Sequence, residues 1–290
     1  MHLLPSISLT RRALILSVAA AACCNIARCQ DATDEPDIEN VRSEQLYAEF
    51  AKTAASLQLS TLAENESFKL QDAPLMRFAS EGKVFGSVYV WHDAADRLAM
   101  IGTIGSLPIQ TLDMEFIELH LLKPKAIDAV QIAGLPPKTW NPEVESLQLK
   151  PVPDAPAVAA TERGRLLQMR TIARHFTATM IHRERDNQLR LLPQPLYRYA
   201  DPTPERDGAV FAFVWDTGTD PEVLLRFETL EAEGKPKWHY QPVRFSWRAL
   251  TLNHDNNSVW TVEEFRLRDA PNQQTPYLTG LTRPLPLTDP

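Results

Sequence analysis

Cysteine is confined to the first 29 residues of this 290-residue chain, at Cys23, Cys24 and Cys29. Everything after them is expected to fold without disulfides, and it offers neither a thiolate nucleophile nor a cysteine-bound zinc. Long apolar runs are also missing. Beyond the N-terminal region no stretch stays apolar for about 18 residues, so nothing there is expected to span a bilayer. The sequence contains no Gly-x-Ser-x-Gly elbow, no phosphate-cradling glycine loop, no His-Glu-x-x-His and no acidic loop of calcium-site spacing. Basic charge is in short supply as well, with 30 Lys and Arg against 37 Asp and Glu, a formal charge of -7. That balance argues against nucleic acid and against an anionic membrane surface as partners. No cofactor and no metal is implied.

What is present begins with a leader. Arg11-Arg12 precede the apolar run Ala13 to Ala22, the pattern of an export signal too short to cross about 30 Å of hydrocarbon. Thr10-Arg11-Arg12-Ala13-Leu14-Ile15 resembles a twin-arginine signal. Ala20-Ala21-Ala22-Cys23 resembles a weak lipobox lacking its usual leucine, which makes Cys23 the candidate lipidation site. Residues 1–29 therefore read as a signal peptide or lipoprotein-type leader, and an exported, periplasmic or cell-surface location follows. Without the three arginines of the leader, 27 basic side chains face 37 acidic ones, a charge of -10. Residues 30–42 read as an acidic, solvated spacer.

The remainder reads as two halves on one plan, residues 43–148 and 161–270. Ser43 is placed to cap a helix whose Leu46, Tyr47, Phe50, Ala54 and Leu57 share one face. A second helix beginning near Thr161 presents Leu166, Met169, Ala173 and Phe176 at an offset of 119. Phe68-Lys69-Leu70 before Pro74-Leu75-Met76-Arg77-Phe78 then matches Leu189-Arg190-Leu191 before Pro195-Leu196-Tyr197-Arg198-Tyr199, at an offset of 121. Gly86-Ser87-Val88-Tyr89 matches Gly208-Ala209-Val210-Phe211, and Trp140 matches Trp260. An ordered series of matches points to internal duplication.

Each half reads as one helix packed on an antiparallel multi-strand sheet, an α+β fold. Val84 to Trp91 and Ala209 to Val214 suit central strands buried on both faces. Pro242 favours an edge or a bulge. Arg185-Asp186-Asn187 and His254-Asp255-Asn256-Asn257 are hairpin-turn candidates. Residues 149–160 form a proline-rich, extended connector, and the proline-rich tail 271–290 is expected to lack regular structure for the most part.

Candidate chemistry is sparse. Arg77 and Arg198, placed equivalently by the repeat, are able to hold a carboxylate or phosphate if both face one cleft; each equally suits a pair with a local acid such as Glu81, Asp201 or Asp207. Trp215 and Trp238 belong to a tryptophan-rich segment that reads first as packing and, if exposed, as a sugar-stacking platform. Asp216, Asp220 and Glu222 cluster about a turn, and Glu263-Glu264 close the last strand of the second half; paired carboxylates are the machinery of glycoside hydrolysis. His92-Asp93 reads as a turn pair, and His175, His182 and Glu184 have poor metal spacing.

Along Pro74-Leu75, Gly86 to Trp91, Leu149 to Pro156, Leu189 to Tyr199 and Asp207 to Val214, the chain resembles a family of exported planctomycete proteins of unassigned function. That family's Gly-Thr-Asp-Pro-Glu-Val-Leu-Leu turn and strand stands here at Gly218 to Leu225. The likeness spans about residues 45 to 265 and is strongest from 149 to 228. The first-half turn departs from the pattern at Asp96-Arg97-Leu98-Ala99. The resemblance implies export and carries over no catalytic residue. Taken together, the sequence leads to an exported binding or cell-envelope protein whose partner is an anion, a glycan or an envelope protein. The rival is a hydrolase of a polysaccharide or ester using Asp, Glu and His between the repeats.

Overall fold

A computed structural model describes residues 38–61, 66–80, 83–122, 130–133, 139–140, 142, 147–199, 206–215, 218–265 and 275–286. All of these belong to the compact unit Asp37–Pro290. Cys23, Asp216, Glu81 and Asp201 lie outside the described residues.

Two lobes repeat one order of elements. The first runs α1 (Ile38–Ser56), β1 (Gln58–Thr61), β2 (Lys69–Leu70), β3 (Met76–Ser80), β4 (Val84–His92), β5 (Leu98–Ile109), β6 (Leu112–Leu121), β7 (Val130–Ala133) and β8 (Thr139–Trp140). After β9 (Lys150–Pro151), the second runs α2 (Glu162–Ala173), β10 (Phe176–His182), β11 (Arg185–Gln188), β12 (Arg190–Leu191), β13 (Tyr197–Tyr199), β14 (Gly208–Val214), β15 (Pro221–Ala232), β16 (Lys235–Arg244), β17 (Leu250–His254) and β18 (Asn257–Val262); β19 (Tyr277–Pro284) follows. In the first lobe β2 and β3 both pair β4, which leads through β5 to β6; β12, β13, β14, β15 and β16 repeat this in the second. The small sheet β1-β7-β8 is likewise matched by β10-β17-β18.

The repeated motif has a packing reason. Phe78 lies opposite Gly86 and Tyr199 opposite Gly208. A Cβ on Gly86 would stand 2.2 Å from the Phe78 ring, and one on Gly208 would stand 2.3 Å from the Tyr199 ring. Each aromatic residue of the Arg-aromatic motif therefore lies across a glycine, and only glycine admits it.

Central strands are buried on both faces because each large sheet has two neighbours. Tyr89 and Trp91 on β4 pack with Leu46 and Phe50 of α1, and Phe211 and Phe213 on β14 pack with Met169 and Ile172 of α2. Their alternate residues Val88, Val90, Val210 and Ala212 meet in a third apolar cluster shared by the two large sheets. The order is helix, sheet, sheet, helix, with one core inside each lobe and one between them.

Several expectations are corrected. Helix α1 starts at Ile38, so it takes in the end of the supposed spacer; Ser43 lies inside it and its hydroxyl donates to the Asn40 carbonyl at 2.9 Å. Acidic side chains suit the first turn of a helix, where they meet the positive end of its dipole. Thr161 does cap α2, its Oγ1 accepting from Gly164 N at 3.1 Å. The β10–β11 turn is Arg183-Glu184, both at positive φ, and Arg185 to Asn187 belong to β11. Pro242 lies within a continuous β16, on a stretch that β9 does not reach, so its missing N–H breaks no ladder on that side.

The largest correction concerns the tail. Residues 277–284 form β19, which pairs β6 from Tyr277 opposite His120 to Pro284 opposite Met114. Leu278 and Leu285 enter the core of the first lobe. On the second lobe β9 takes the corresponding place, pairing β16, and Val152 enters that core. The slot filled on the second lobe by the strand preceding its helix is filled on the first by the chain's C-terminal strand.

Candidate binding site at the seam between the lobes

The duplication supplies an internal comparison. Both lobes carry a β-bulge at one place: the β4–β5 register shifts between Trp91 and His92, and the β14–β15 register shifts between Phe213 and Val214. The residue skipped is Ala99 in the first lobe and Glu222 in the second. The backbone is the same, since Leu122 N donates to Ala99 O at 2.8 Å and Phe245 N donates to Glu222 O at 3.0 Å. By the same registers Leu121 corresponds to Arg244, and Arg97 to Asp220. The scaffold therefore accepts alanine and leucine where the second lobe buries or half-buries Glu222 and Arg244. Packing does not require these charges.

Side chains of both lobes meet there. Glu118 on β6 accepts a hydrogen bond from the Tyr277 hydroxyl on β19. Arg244 lies 5.1 Å from the Tyr277 ring centroid and 5.8 Å from that of Phe265. Its Nε donates to Ser246 O at 2.6 Å, and its Nη2 to Trp247 O at 2.7 Å and Arg248 O at 3.0 Å. These bonds hold the segment after β16 in a tight curl and present Trp247 and Arg248. The Arg248 guanidinium lies 4.5 Å from the Trp247 ring centroid and 5.9 Å from that of Trp215. Trp247 is 39% exposed, and Trp215 and Arg248 are half-buried. The imidazole of His182 stands edge-on to Trp215 at 4.9 Å.

Burial dominates the electrostatics of this cluster. It pushes Glu118 up to about 8, against the lowering effect of the Tyr277 hydrogen bond and with a further rise from Glu222. It pushes Glu222 up to about 7, opposed by a Ser246 hydrogen bond and by Arg248. Asp220 is raised well above its ordinary value by desolvation, then by Glu222 and Glu118. His120, whose Nδ1 meets Leu121 O at 2.9 Å, is pushed down to about 3 by burial.

Folded Glu118 keeps a proton that the unfolded chain releases near pH 4.5, so stability falls as pH rises from there to about 8. Glu118→Gln keeps an acceptor for Tyr277 and removes this titration. The variant is expected to match the wild type near pH 4.5 and to exceed it increasingly above, by up to about 1.4 kcal/mol per pH unit until about pH 8. Urea unfolding at pH 5, 6.5 and 8 measures the gap; a constant gap refutes the burial of this carboxyl.

The residues singled out in the sequence do not form one constellation. Arg77 and Arg198 occupy equivalent strands, opposite Ser87 and Ala209. Arg77 is exposed, pairs Glu44 of α1 at 3.2 Å and lies 4.8 Å from the Tyr47 ring centroid. Arg198 ion-pairs the buried Asp207, which also holds Arg165 of α2, and donates to Gly208 O at 2.6 Å. Trp238 is buried in the second core. Of the four, Trp215 alone belongs to the seam cluster, where Asp220 and Glu222 join it. Glu263 and Glu264 are exposed after β18. Asp93 closes its hairpin by accepting from Ala95 N, Arg97 N and the Arg97 guanidinium, and His92 Nε2 meets Tyr197 OH across the seam at 2.7 Å. His175 bonds Asp255 at 2.8 Å, away from His182. No group of three or more metal-ligating side chains occurs among the described residues.

Glu118, Arg244, Trp247, Arg248 and Tyr277 escaped sequence reasoning. A signal existed: at an offset of 123 the halves disagree in charge at Ala99/Glu222 and Leu121/Arg244. No family model, no curated protein and no solved structure matches the chain. Among the described residues no helix is long and apolar enough to cross a membrane.

Proposed function

We propose that this chain is an exported binding protein of the cell envelope that acts without catalysis and takes its ligand at the seam, around Arg248 and Asp220. The observation that carries this reading is a pair of side chains with unspent capacity. Among the described residues neither the Arg248 guanidinium nor the Asp220 carboxyl has a hydrogen-bond partner, whereas Arg165, Arg198, Arg226 and Arg244 are engaged internally. Export rests on the leader and on the resemblance to exported planctomycete proteins.

Hydrolysis by paired carboxyls is the weaker reading. It needs one ionised and one protonated carboxyl on either side of a substrate bond, and here Glu118 and Glu222 are buried and each is bonded within the fold, to Tyr277 and to Ser246. His120 is kept neutral and is spent on a backbone carbonyl.

The test is a thermal-shift panel of anions, oligosaccharides and divalent cations on wild type and Arg248→Ala. A ligand at 100 times its Kd stabilises by about 2.7 kcal/mol, so at least one compound is expected to raise Tm in the wild type and not in the variant. If shifts are the same in both proteins, or absent from both, the seam is not the binding site.

A further inference from the structure

We infer that the seam recognises a sugar acid, a hydroxylated ring bearing a carboxylate, with Arg248 as its anchor; this rests on the binding reading above. The guanidinium lies 4.5 Å from the Trp247 ring centroid and 5.9 Å from that of Trp215, and its N–H groups have no hydrogen-bond partner among the described residues. A planar guanidinium with unpartnered N–H groups matches a carboxylate through two parallel hydrogen bonds, and its contact with the Trp247 ring limits the entropy lost on binding. An isolated phosphate or sulfate would use the same donors, so the arginine alone does not choose among anions.

Asp220 narrows the class. Desolvation together with Glu222 and Glu118 raises it toward the protonated form. In that form a carboxyl both donates and accepts, which is what a sugar hydroxyl requires of its partner. It also places no negative charge beside an incoming carboxylate. Trp247, 39% exposed, supplies the apolar surface against which a pyranose ring packs. The charged groups acting on Arg248 are Glu222, Glu264, Arg183 and Asp220. Carboxylate, hydroxyls and ring body each find a complement, and a simple inorganic anion would use only the first.

Calorimetry of the full chain against a galacturonate trisaccharide, its methyl ester and neutral cellotriose tests this. The acid form is expected to bind, and the ester and cellotriose to bind at least about tenfold more weakly, because each lacks the charge that pairs with the guanidinium. Arg248→Ala is expected to lose binding of the acid form. Asp220→Asn, which keeps a donor and an acceptor, is expected to retain it, and Asp220→Ala to weaken it. Equal binding of acid and ester overturns the sugar-acid assignment, and so does a wild-type response to sulfate alone; if that binding still disappears in Arg248→Ala, the seam remains the site. Binding of the acid form that survives both Arg248→Ala and Trp247→Ala overturns the location as well. No binding of any probe overturns the inference, and the thermal-shift panel then decides separately whether the seam binds at all.

Discussion

Asp207→Ala is expected to lower the free energy of unfolding by about 3–5 kcal/mol, the usual effect of removing one partner from a buried ion pair. Asp207 and Arg165 both have 0% side-chain exposure, and Arg198 makes a second ion pair to the same carboxylate. Removing the carboxylate leaves one guanidinium stranded in the core and a second short of its partner. The repeat shows what the scaffold accepts instead. The offsets of 119 and 122 place Leu46 and Phe85 at these positions in the first lobe, both inside its apolar core. Arg165→Leu with Asp207→Phe is therefore expected to recover most of the loss, since replacing a buried ion pair by packed apolar groups is often neutral or better. Arg198→Ala is expected to cost less, about 1–3 kcal/mol, because Asp207 keeps Arg165. Urea unfolding at pH 7 measures all three. A loss below about 1 kcal/mol for Asp207→Ala contradicts the packing described.

Ending the chain at Gln274 is expected to unfold the first lobe in preference to the second. The missing strand takes with it the ladder on β6 and the burial of Leu278 and Leu285, each worth about 1.5–3 kcal/mol. Trp140 Nε1 loses its acceptor at Thr275 O, and the buried Glu115 and Glu118 lose Thr282, Arg283 and Tyr277. Together these losses are large against a total margin of about 5–15 kcal/mol. Hydrogen exchange separates the lobes: protection should vanish from β5 and β6 and persist in β15 and β16. A synthetic peptide of residues 275–286 should restore it. Unchanged protection in β6 would show that β19 is dispensable.

The duplicated architecture was legible because its determinants are local and occur twice. The helix faces, the Arg-aromatic motif and the glycine strands recur in order, and the pairings from β3 to β6 and from β13 to β16 join strands adjacent in sequence. The tail departs from expectation for the opposite reason. Prolines at 271, 276, 284 and 286 suppress strand propensity, whereas β19 is stabilised by a ready-made edge on β6, more than 150 residues away. The seam cluster was partly legible. Asp220, Glu222 and Trp215 stand out in the sequence as turn acids and a tryptophan, but their convergence with Glu118 and Tyr277 depends on how two sheets face each other, which no spacing encodes. Arg77 and Arg198 show the limit of reading function from repetition: the strand position was retained while the partners diverged, Glu44 and Tyr47 for one and Asp207 for the other.

The placement of β19 also bears on how the molecule is made. Synthesis delivers the first lobe's helix and the five other strands of its large sheet early, yet the segment that completes that sheet leaves the ribosome more than 150 residues later, after the whole second lobe. Until then the rim of β6 is a bare hydrogen-bonding edge, open to any extended neighbour. The second lobe, whose closing strand precedes its own helix, faces no such wait, so the half translated later is the one able to finish first.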